Sequence, residues 1–228
     1  MSKVAIFTLT RDRLDMTKAT LASMRERRPG HAYDHWFFDQ GSSDGTPGWL
    51  RQNAPMASIV ELGENKGLHV AMNLAHEALL GAGYDFIMKV DNDIEFKTVH
   101  WLKKLLRAQA LLAPGSVLAP RVLNLRHPPE VFARKRIGDF TFSFLDIVGG
   151  AARLMPRASI TDFRFNERMP LAWGGDATFA NHCARNVIPM AYVEDVRVRH
   201  MLDDEEQEKV NPEYFQRRTF EAYIPYGL

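Results

Sequence analysis

The sequence predicts one α/β domain, Rossmann-like, with a mostly parallel central sheet and helices on both faces. Three observations carry that expectation. Through the first half of the chain, short apolar runs alternate with longer amphipathic stretches, the pattern of strands joined by crossover helices. Polar, turn-forming clusters follow the apolar runs, at TLTR (8–11), DQGSSDGT (39–46), ENKG (64–67) and DND (91–93); in a parallel sheet such clusters fall at the carboxyl edge, where ligands bind. The length, 228 residues, suits one substantial core and is short for two.

Val4 to Leu9 is an apolar run read as the first strand, and it is too short for a signal peptide. Leu14 to Arg27 follows as a helix, with Leu14, Leu21 and Met24 at helical spacing. His35 to Phe38 is a strand, Thr46 to Gln52 a short helix capped by Thr46, and Ile59 to Leu62 a strand. Lys66 to Leu80 reads as a helix, Phe86 to Val90 as a strand and Val99 to Leu112 as a helix. Beyond Leu112 the alternation weakens, because Pro114, Pro120, Pro128 and Pro129 break the chain. Phe140 to Val148 is strand-like and leads into Gly149-Gly150, Asp176 to Arg185 is helical, and Ala191 to Val198 is strand-like and runs on to His200. No flexible linker divides the halves, so both belong to one domain. The tail opens with DDEEQE and carries Tyr214, Phe215, Phe220, Tyr223 and Tyr226; it reads as an acidic turn and an amphipathic helix packed on the domain, in preference to a partner-binding tail.

Composition excludes several classes. A net charge of +1 gives no global field toward nucleic acid or an anionic membrane. One cysteine, Cys183, permits neither an intramolecular disulfide nor a cysteine-based zinc site; it reads as a helix-face residue and points to a reducing, cytoplasmic setting. No run of about 18 apolar residues is present, so a membrane-bound acceptor would be reached from the surface.

The chemistry-bearing residues lie in the strand-end clusters. Asp91 and Asp93 follow an apolar strand and precede Ile94 and Phe96, which half-buries them. Carboxylates there need donors or a cation, and hard oxygen ligands suit Mg2+ or Mn2+ over zinc. DQGSSDGT, after Trp36-Phe37-Phe38, is either a simple turn into the next helix or a binding loop in which Asp39 accepts from the imide N–H of a uracil or a comparable base donor, while Asp44 orders the loop. Gly67 lets backbone approach a ligand. Asn65 either contacts that ligand or structures the loop, and Lys66 either contacts the base or is solvated. Asn73 faces the same pocket or makes contacts within the fold. Thr8 and Arg11 pose a similar choice between covering a nucleotide and opening a helix, and Asn92 makes the DND turn. Gly149-Gly150 and Gly174-Gly175 are turns or points of close approach to a sugar ring, and Trp173 stacks on a sugar or packs in the core.

Taken in order, VAIFTLTR, DQGSSDGT, NKGLHVAMN and DND, with the segment VGGAARLMPRASITDFRFNERMPLAWGGDATFANHCARN, resemble the family-2-type inverting glycosyltransferases of the GT-A fold over about residues 3 to 200. The resemblance implies a nucleotide-sugar-binding half (about 1–96), an acceptor-binding half (about 97–200) and a tail (201–228). It implies that Asp39 reads the base, that Asp91 sits near ribose and metal, and that Asp93 is the direct metal ligand with His200 as a further one. Thr8, Arg11, Asn65, Lys66, Gly67, Asn92, Gly150 and Trp173 are then assigned to the nucleotide sugar, and Asp176 is the general base. Two positions depart from the pattern: Gln40 replaces the usual Asn, and Gly175 the usual acid before the base. The implied partners are a UDP-sugar and an acceptor hydroxyl on a saccharide, a lipid-linked sugar or another molecule.

Two alternatives come from other classes. A nucleotidyltransferase would show a glycine-rich basic loop near the N-terminus, and TLTRDRLD has no glycine; P-loop and dinucleotide-binding motifs are also absent. A non-catalytic polyanion binder, or an enzyme acting on hydroxylated bases of a nucleic acid, would use the basic stretch from Arg121 to Arg157. There Arg121, Arg126, Arg134, Lys135, Arg136, Arg153 and Arg157 outnumber Glu130, Asp139 and Asp146.

Overall fold

The computed structural model describes residues 2–168, 174–202, 205, 206 and 209. The first half alternates as expected: β1 (Val4–Thr10), α1 (Leu14–Glu26), β2 (Asp34–Asp39), α2 (Thr46–Asn53), β3 (Ser58–Glu61), α3 (Leu68–Gly81) and β4 (Phe86–Val90). Then follow β5 (Ile94–Phe96), α4 (Trp101–Gln109), β6 (Val117–Val122), β7 (Val131–Ile137), β8 (Phe140–Leu145), β9 (Ala152–Pro156), α5 (Gly175–Arg185) and β10 (Met190–His200). Of the tail only residues 201, 202, 205, 206 and 209 are described, and the aromatic segment read as an amphipathic helix lies outside the described residues.

These strands form one sheet in the order β3-β2-β1-β4-β9-β6-β10-β8-β7, with β5 paired to β10. β1, β2, β3, β4, β6, β7 and β10 run in one sense, and β5, β8 and β9 in the other. This is the expected single α/β domain with mostly parallel strands. Alternate residues of each central strand face opposite layers. Val4, Ile6, Met88 and Val90 pack with Leu21 and Met24 of α1, Leu50 of α2 and Leu102 and Leu105 of α4. Ala5, Phe7 and Ile87 pack with Met72 and Leu79 of α3 and Phe179 and Cys183 of α5. Trp101 packs its ring 4.3 Å from Phe96 and donates to the Met24 carbonyl at 3.3 Å, locking α4 over β5; burying one such side chain is worth roughly 1.5–3 kcal/mol.

Several boundaries differ from the sequence reading for local reasons. Gly45 (φ 87), not Thr46, is the N-cap of α2, and the Thr46 hydroxyl donates to Asp44. Gly67 (φ 83) is the N-cap of α3, which moves the helix start from Lys66 to Leu68. Pro120 lies inside β6, opposite Val193, where the register with β10 shifts; an irregularity of this kind is where a strand tolerates proline. The basic stretch is dispersed. Arg153 is buried, Arg157 donates to the Leu80 carbonyl at 2.8 Å, Arg121 lies over the Tyr192 ring, and Arg134 pairs with Glu194 at 3.3 Å.

Two pairings shape the carboxyl edge. The antiparallel match of β5 with β10 sets His200 opposite Ile94, and Met201 N–H donates to the Asp93 carbonyl at 2.8 Å. The antiparallel match of β4 with β9 sets Ala152 opposite Val90, and Asp91 N–H donates to the Ala151 carbonyl at 2.8 Å. Residues far apart in sequence therefore meet at the end of β4.

Candidate active site

The loops after β1 and β2 are tied together first. Asp39 is 1% exposed and accepts hydrogen bonds from Thr10 Oγ1 (2.8 Å), Gly41 N–H (3.1 Å), Ser42 N–H (2.9 Å) and Ser42 Oγ (2.5 Å). A carboxylate offers about four lone-pair sites, so Thr10 at the end of β1 and the Gly41–Ser42 loop together engage them all. Next to it, Gln40 is buried and its Oε1 has no hydrogen-bond partner. Asp12 accepts from Ser43 N–H at 2.7 Å, and Asp44 accepts from Leu14 N–H at 2.7 Å, capping α1 from across the loops. Burial works against the charge on Asp44, but the Thr46 hydroxyl and the Leu14 and Thr46 N–H groups outweigh it and hold the carboxyl below its ordinary value. Thr8 departs from expectation: it is buried and its hydroxyl lies 3.1 Å from His35 Nε2, inside the sheet, so Thr10 is the threonine at the edge. Arg11 is exposed at that edge.

Asp12 and Arg13 both adopt left-handed backbone, at φ 55 and 61; in a non-glycine residue this costs on the order of 1–2 kcal/mol. The turn aims Arg13 Nη1 at Asp93 Oδ2, 3.6 Å away. On the other side of Asp93, His200 Nδ1 stands 3.7 Å from Oδ1, and Asn124 holds the His200 backbone through its N–H (2.9 Å) and carbonyl (3.0 Å). Burial penalises the Asp93 charge, yet His200, Arg13 and Lys89 together pull its carboxyl below the ordinary value. Asp91 is pushed up, first by desolvation and then by Asp93, against the pull of Lys89. The Lys89 ammonium contacts Asp91 directly and donates to the Gly150 carbonyl at 2.7 Å. Asn92 turns away from the edge and donates to Thr17 Oγ1 at 3.1 Å, so it braces α1.

Asp93 and His200 thus come together, while Asp91 is tied to Lys89. Among the described residues no three His, Cys, Asp or Glu side chains converge as a complete cage. This donor set fits a hard divalent cation that takes one or two protein ligands and completes its shell with phosphate oxygens and water.

The second acidic corner is Asp176 at the start of α5. Its Oδ2 accepts from Gly150 N–H at 3.0 Å and its Oδ1 from Arg153 Nη1 at 3.2 Å. A Cβ on Gly150 would stand 2.8 Å from Asp176 Oδ1 and 3.2 Å from Lys89 Nζ, so a larger residue there would displace the Asp176 carboxylate from its present position. Arg153, 1% exposed, also reaches the Val148 carbonyl and lies 4.1 Å from the Phe179 ring centre. Asn65 closes a turn onto Gly67 N–H at 3.1 Å, and Lys66 pairs with Glu64 at 2.8 Å. Asn73 clamps Phe165 through its N–H (2.9 Å) and carbonyl (3.0 Å). Trp173 lies outside the described residues. The buried thiol of Cys183 is pushed up to about 11, as befits a residue of the helix interior.

Arg13, Gln40, Lys89 and Arg153 were not anticipated as site residues. For two of them a signal was present: a lysine in FIMKV and an arginine in ARLMP are charges inside buried strands, and such charges demand partners.

The model of the glycosyl transferase family 2 matches residues 5–178, which spans every corner described above except His200. The chain belongs to glycosyl transferase family 2. Its fold is that of GT-A members of known structure. The Pyrobaculum calidifontis mannosyltransferase PcManGT, solved with GDP-Man and Mn2+, is 15% identical; the match covers 100% of this chain and 65% of that one, with a TM-score of 0.69. GalNAc-T7 with UDP, GalNAc and Mn2+ is 11% identical, covering 100% and 52%, with a TM-score of 0.69. S. aureus TarS 1–349 with UDP-GlcNAc is 15% identical, covering 87% and 60%, with a TM-score of 0.62. The chain therefore spans less than two thirds of each of these three proteins. No curated protein sequence matches it. No helix among the described residues is long and apolar enough to cross a membrane.

Proposed function

We propose that this family 2 glycosyltransferase moves a sugar from a uridine diphosphate donor to an acceptor hydroxyl in one metal-dependent displacement that inverts the anomeric carbon. One observation supports the reading above all: the Asp93–His200 corner and the Asp176 corner lie along a single strand edge and are joined through Asp91, Lys89 and Gly150. Leaving-group chemistry and proton removal need two such separated groups.

Asp93 and His200, with the remaining oxygen of Asp91, would hold Mn2+ or Mg2+. What that cation supplies is neutralisation of the diphosphate as the bond to the sugar breaks. Arg13, already beside Asp93, adds positive charge at the same place. With Asp39 committed to its loop, the neighbouring Gln40 Oε1 is the unmet acceptor for a base N–H, and Arg11 covers the nucleotide from solvent.

Asp176 is the general base. Its side chain keeps 46% exposure, so it is open to an acceptor, and the Gly150 N–H and Arg153 fix its orientation. The acceptor oxygen attacks the anomeric carbon, its proton passes to the Asp176 carboxylate, and the bond to the diphosphate breaks with its electron pair on the departing oxygen. No second nucleophilic carboxylate is needed. The acceptor is a saccharide or lipid-linked sugar, reached from the cytoplasmic side of a membrane where it is lipid-bound.

The neighbours with GDP-Man, UDP-GlcNAc and UDP with GalNAc make nucleotide sugars the natural probes. A donor-hydrolysis screen across UDP- and GDP-sugars, with and without Mn2+, should give turnover selective for one UDP-sugar and dependent on the metal. Absence of binding and turnover for every nucleotide sugar would overturn the reading.

A further inference from the structure

One end of helix α5 is unfinished. Its N-cap is Gly174, at φ 78, and no side chain caps it; the N–H groups of a first turn have no carbonyl within the helix to bond. Against this end lies His69 of α3. The imidazole is 2% exposed and stacked on Phe165, with 5.4 Å between ring centres and 16° between planes. Its Nδ1 is 2.9 Å from the Asn166 carbonyl oxygen. A carbonyl only accepts, so Nδ1 carries the hydrogen, and in the tautomer with that single hydrogen the lone pair is at Nε2.

That lone pair is buried and has no hydrogen-bond partner. A Cβ on Gly175 would stand 3.6 Å from Nε2, which shows where the atom faces: the first residue of α5, one before Asp176. An acceptor and a set of helix N–H donors thus sit side by side, neither satisfied by a side chain among the described residues. We propose that His69 Nε2 and the N–H groups opening α5 form a subsite for a hydroxyl of the transferred sugar.

A hydroxyl matches both halves, donating its hydrogen to Nε2 and accepting from a helix N–H. A carboxylate or phosphate matches only one half: it brings no hydrogen for Nε2 and is repelled by Asp176 next along the helix. The glycines at 174 and 175 let the backbone open around the entering oxygen. The inference rests on the glycosyltransferase reading, in which Asp176 serves the reacting carbon and the sugar therefore lies at the start of α5. His69 selects and positions the sugar; it takes no part in bond making.

Histidine-labelled (15N) full-length protein in Mg2+ tests this directly. Its imidazole signals are followed on adding UDP-GlcNAc or GDP-mannose, and separately UDP or GDP. The His69 Nε2 signal, identified by its loss in His69→Phe, should move with the sugar nucleotide that binds and stay in place with the nucleoside diphosphate alone. By calorimetry, His69→Phe should lose about tenfold of the affinity that the sugar adds over the bare nucleotide, the scale of one hydrogen bond, with nucleotide affinity unchanged. Wild-type binding of a sugar nucleotide with an unmoved Nε2 signal overturns the subsite alone. If no nucleotide sugar binds or is hydrolysed, the glycosyltransferase reading falls and the subsite falls with it.

Discussion

Replacing Asp176 by asparagine removes the proposed proton acceptor and, in this fold, also strips a buried guanidinium of its counter-charge. Arg153 is 1% exposed, and its Nη1 lies 3.2 Å from Asp176 Oδ1. Burial lowers the Arg153 pKa, and Asp176 is the largest of the groups opposing that shift. Breaking a fully buried pair by removing one partner costs about 3–5 kcal/mol. Asp176 is 46% exposed, so solvent screens the pair, and a cost of roughly 1.5–3 kcal/mol is expected. Transfer should fall by about 100-fold or more from the lost base. The two effects separate in the double variant Arg153→Met/Asp176→Asn, which removes both charges. Its stability should recover most of the loss while transfer stays low. Urea unfolding at pH 7 reads the first quantity, and transfer with nucleotide affinity on the same preparation reads the second. An Asp176→Asn protein within about 0.5 kcal/mol of wild type would refute the counter-charge argument, and near-wild-type transfer would refute the base.

Asp93→Ala should abolish the Mn2+-dependent part of nucleoside diphosphate affinity by calorimetry; affinity that still rises with Mn2+ removes Asp93 from the metal site. Asp39→Ala should destabilise the fold by about 2–4 kcal/mol, since it unties several buried donors, whereas Gln40→Ala should leave stability nearly intact and weaken UDP binding. A destabilised Gln40→Ala with unchanged UDP affinity would reverse those roles. His35 and His76 are both pushed down to about 3 by burial, from an ordinary value of 6.5. Folded pKa values lie below unfolded ones, so the unfolded state binds the protons, and stability present above pH 6.5 is lost as pH falls toward 3. Each histidine should remove about 1.4 kcal/mol per pH unit in that window. His76→Leu should halve the part of the loss these two contribute, and an unchanged acid slope in urea titrations would dismiss it.

The first half of the fold was legible because its strands are bounded by turn chemistry: Val4–Thr10, Asp34–Asp39 and Phe86–Val90 each run into a polar cluster. The strands that assemble the site were not. β5 is only IEF, too short to carry a period, and its pairing with β10 is what brings His200 to Asp93. β9 is ARLMP, buried throughout, so it lacks the alternation that marks a half-exposed strand, and β7 is VFARKRI, an exposed edge whose charges mask its conformation. The candidate acids stand out in the sequence because Asp91 and Asp93 directly follow an apolar strand. Lys89 and Arg153 stand out as charges in buried strands, but which acid each meets could not be read, and Arg13 gives no such signal, since Arg13 depends on a left-handed turn and Arg153 on a strand pairing between distant segments.

Each acid of the site has a resident cation: Arg13 at Asp93, Lys89 at Asp91 and Arg153 at Asp176. A divalent ion entering without nucleotide meets carboxylates already compensated, so it should bind weakly. A diphosphate restores the negative charge, and by linkage nucleotide and metal must strengthen each other by the same factor. Lys89→Met tests the competition, because it frees Asp91 and leaves the Arg13 and His200 contacts of Asp93 in place, although Asp93 also loses the more distant Lys89 charge. Unit charges about 4 Å apart near a protein surface interact by about 4 kcal/mol. Asp91 retains 35% side-chain exposure, which reduces the expected gain to roughly 1–2 kcal/mol, or about 5- to 30-fold in Mn2+ affinity of the nucleotide-free protein. The mutual strengthening between Mn2+ and UDP should shrink accordingly, since part of what the diphosphate supplied is now present beforehand. Calorimetric Mn2+ titrations of both proteins, with and without UDP, measure all four affinities. Equal Mn2+ affinity for wild type and Lys89→Met without nucleotide would mean that Asp91 does not face the cation, and that Lys89 serves only to hold Gly150 against Asp176.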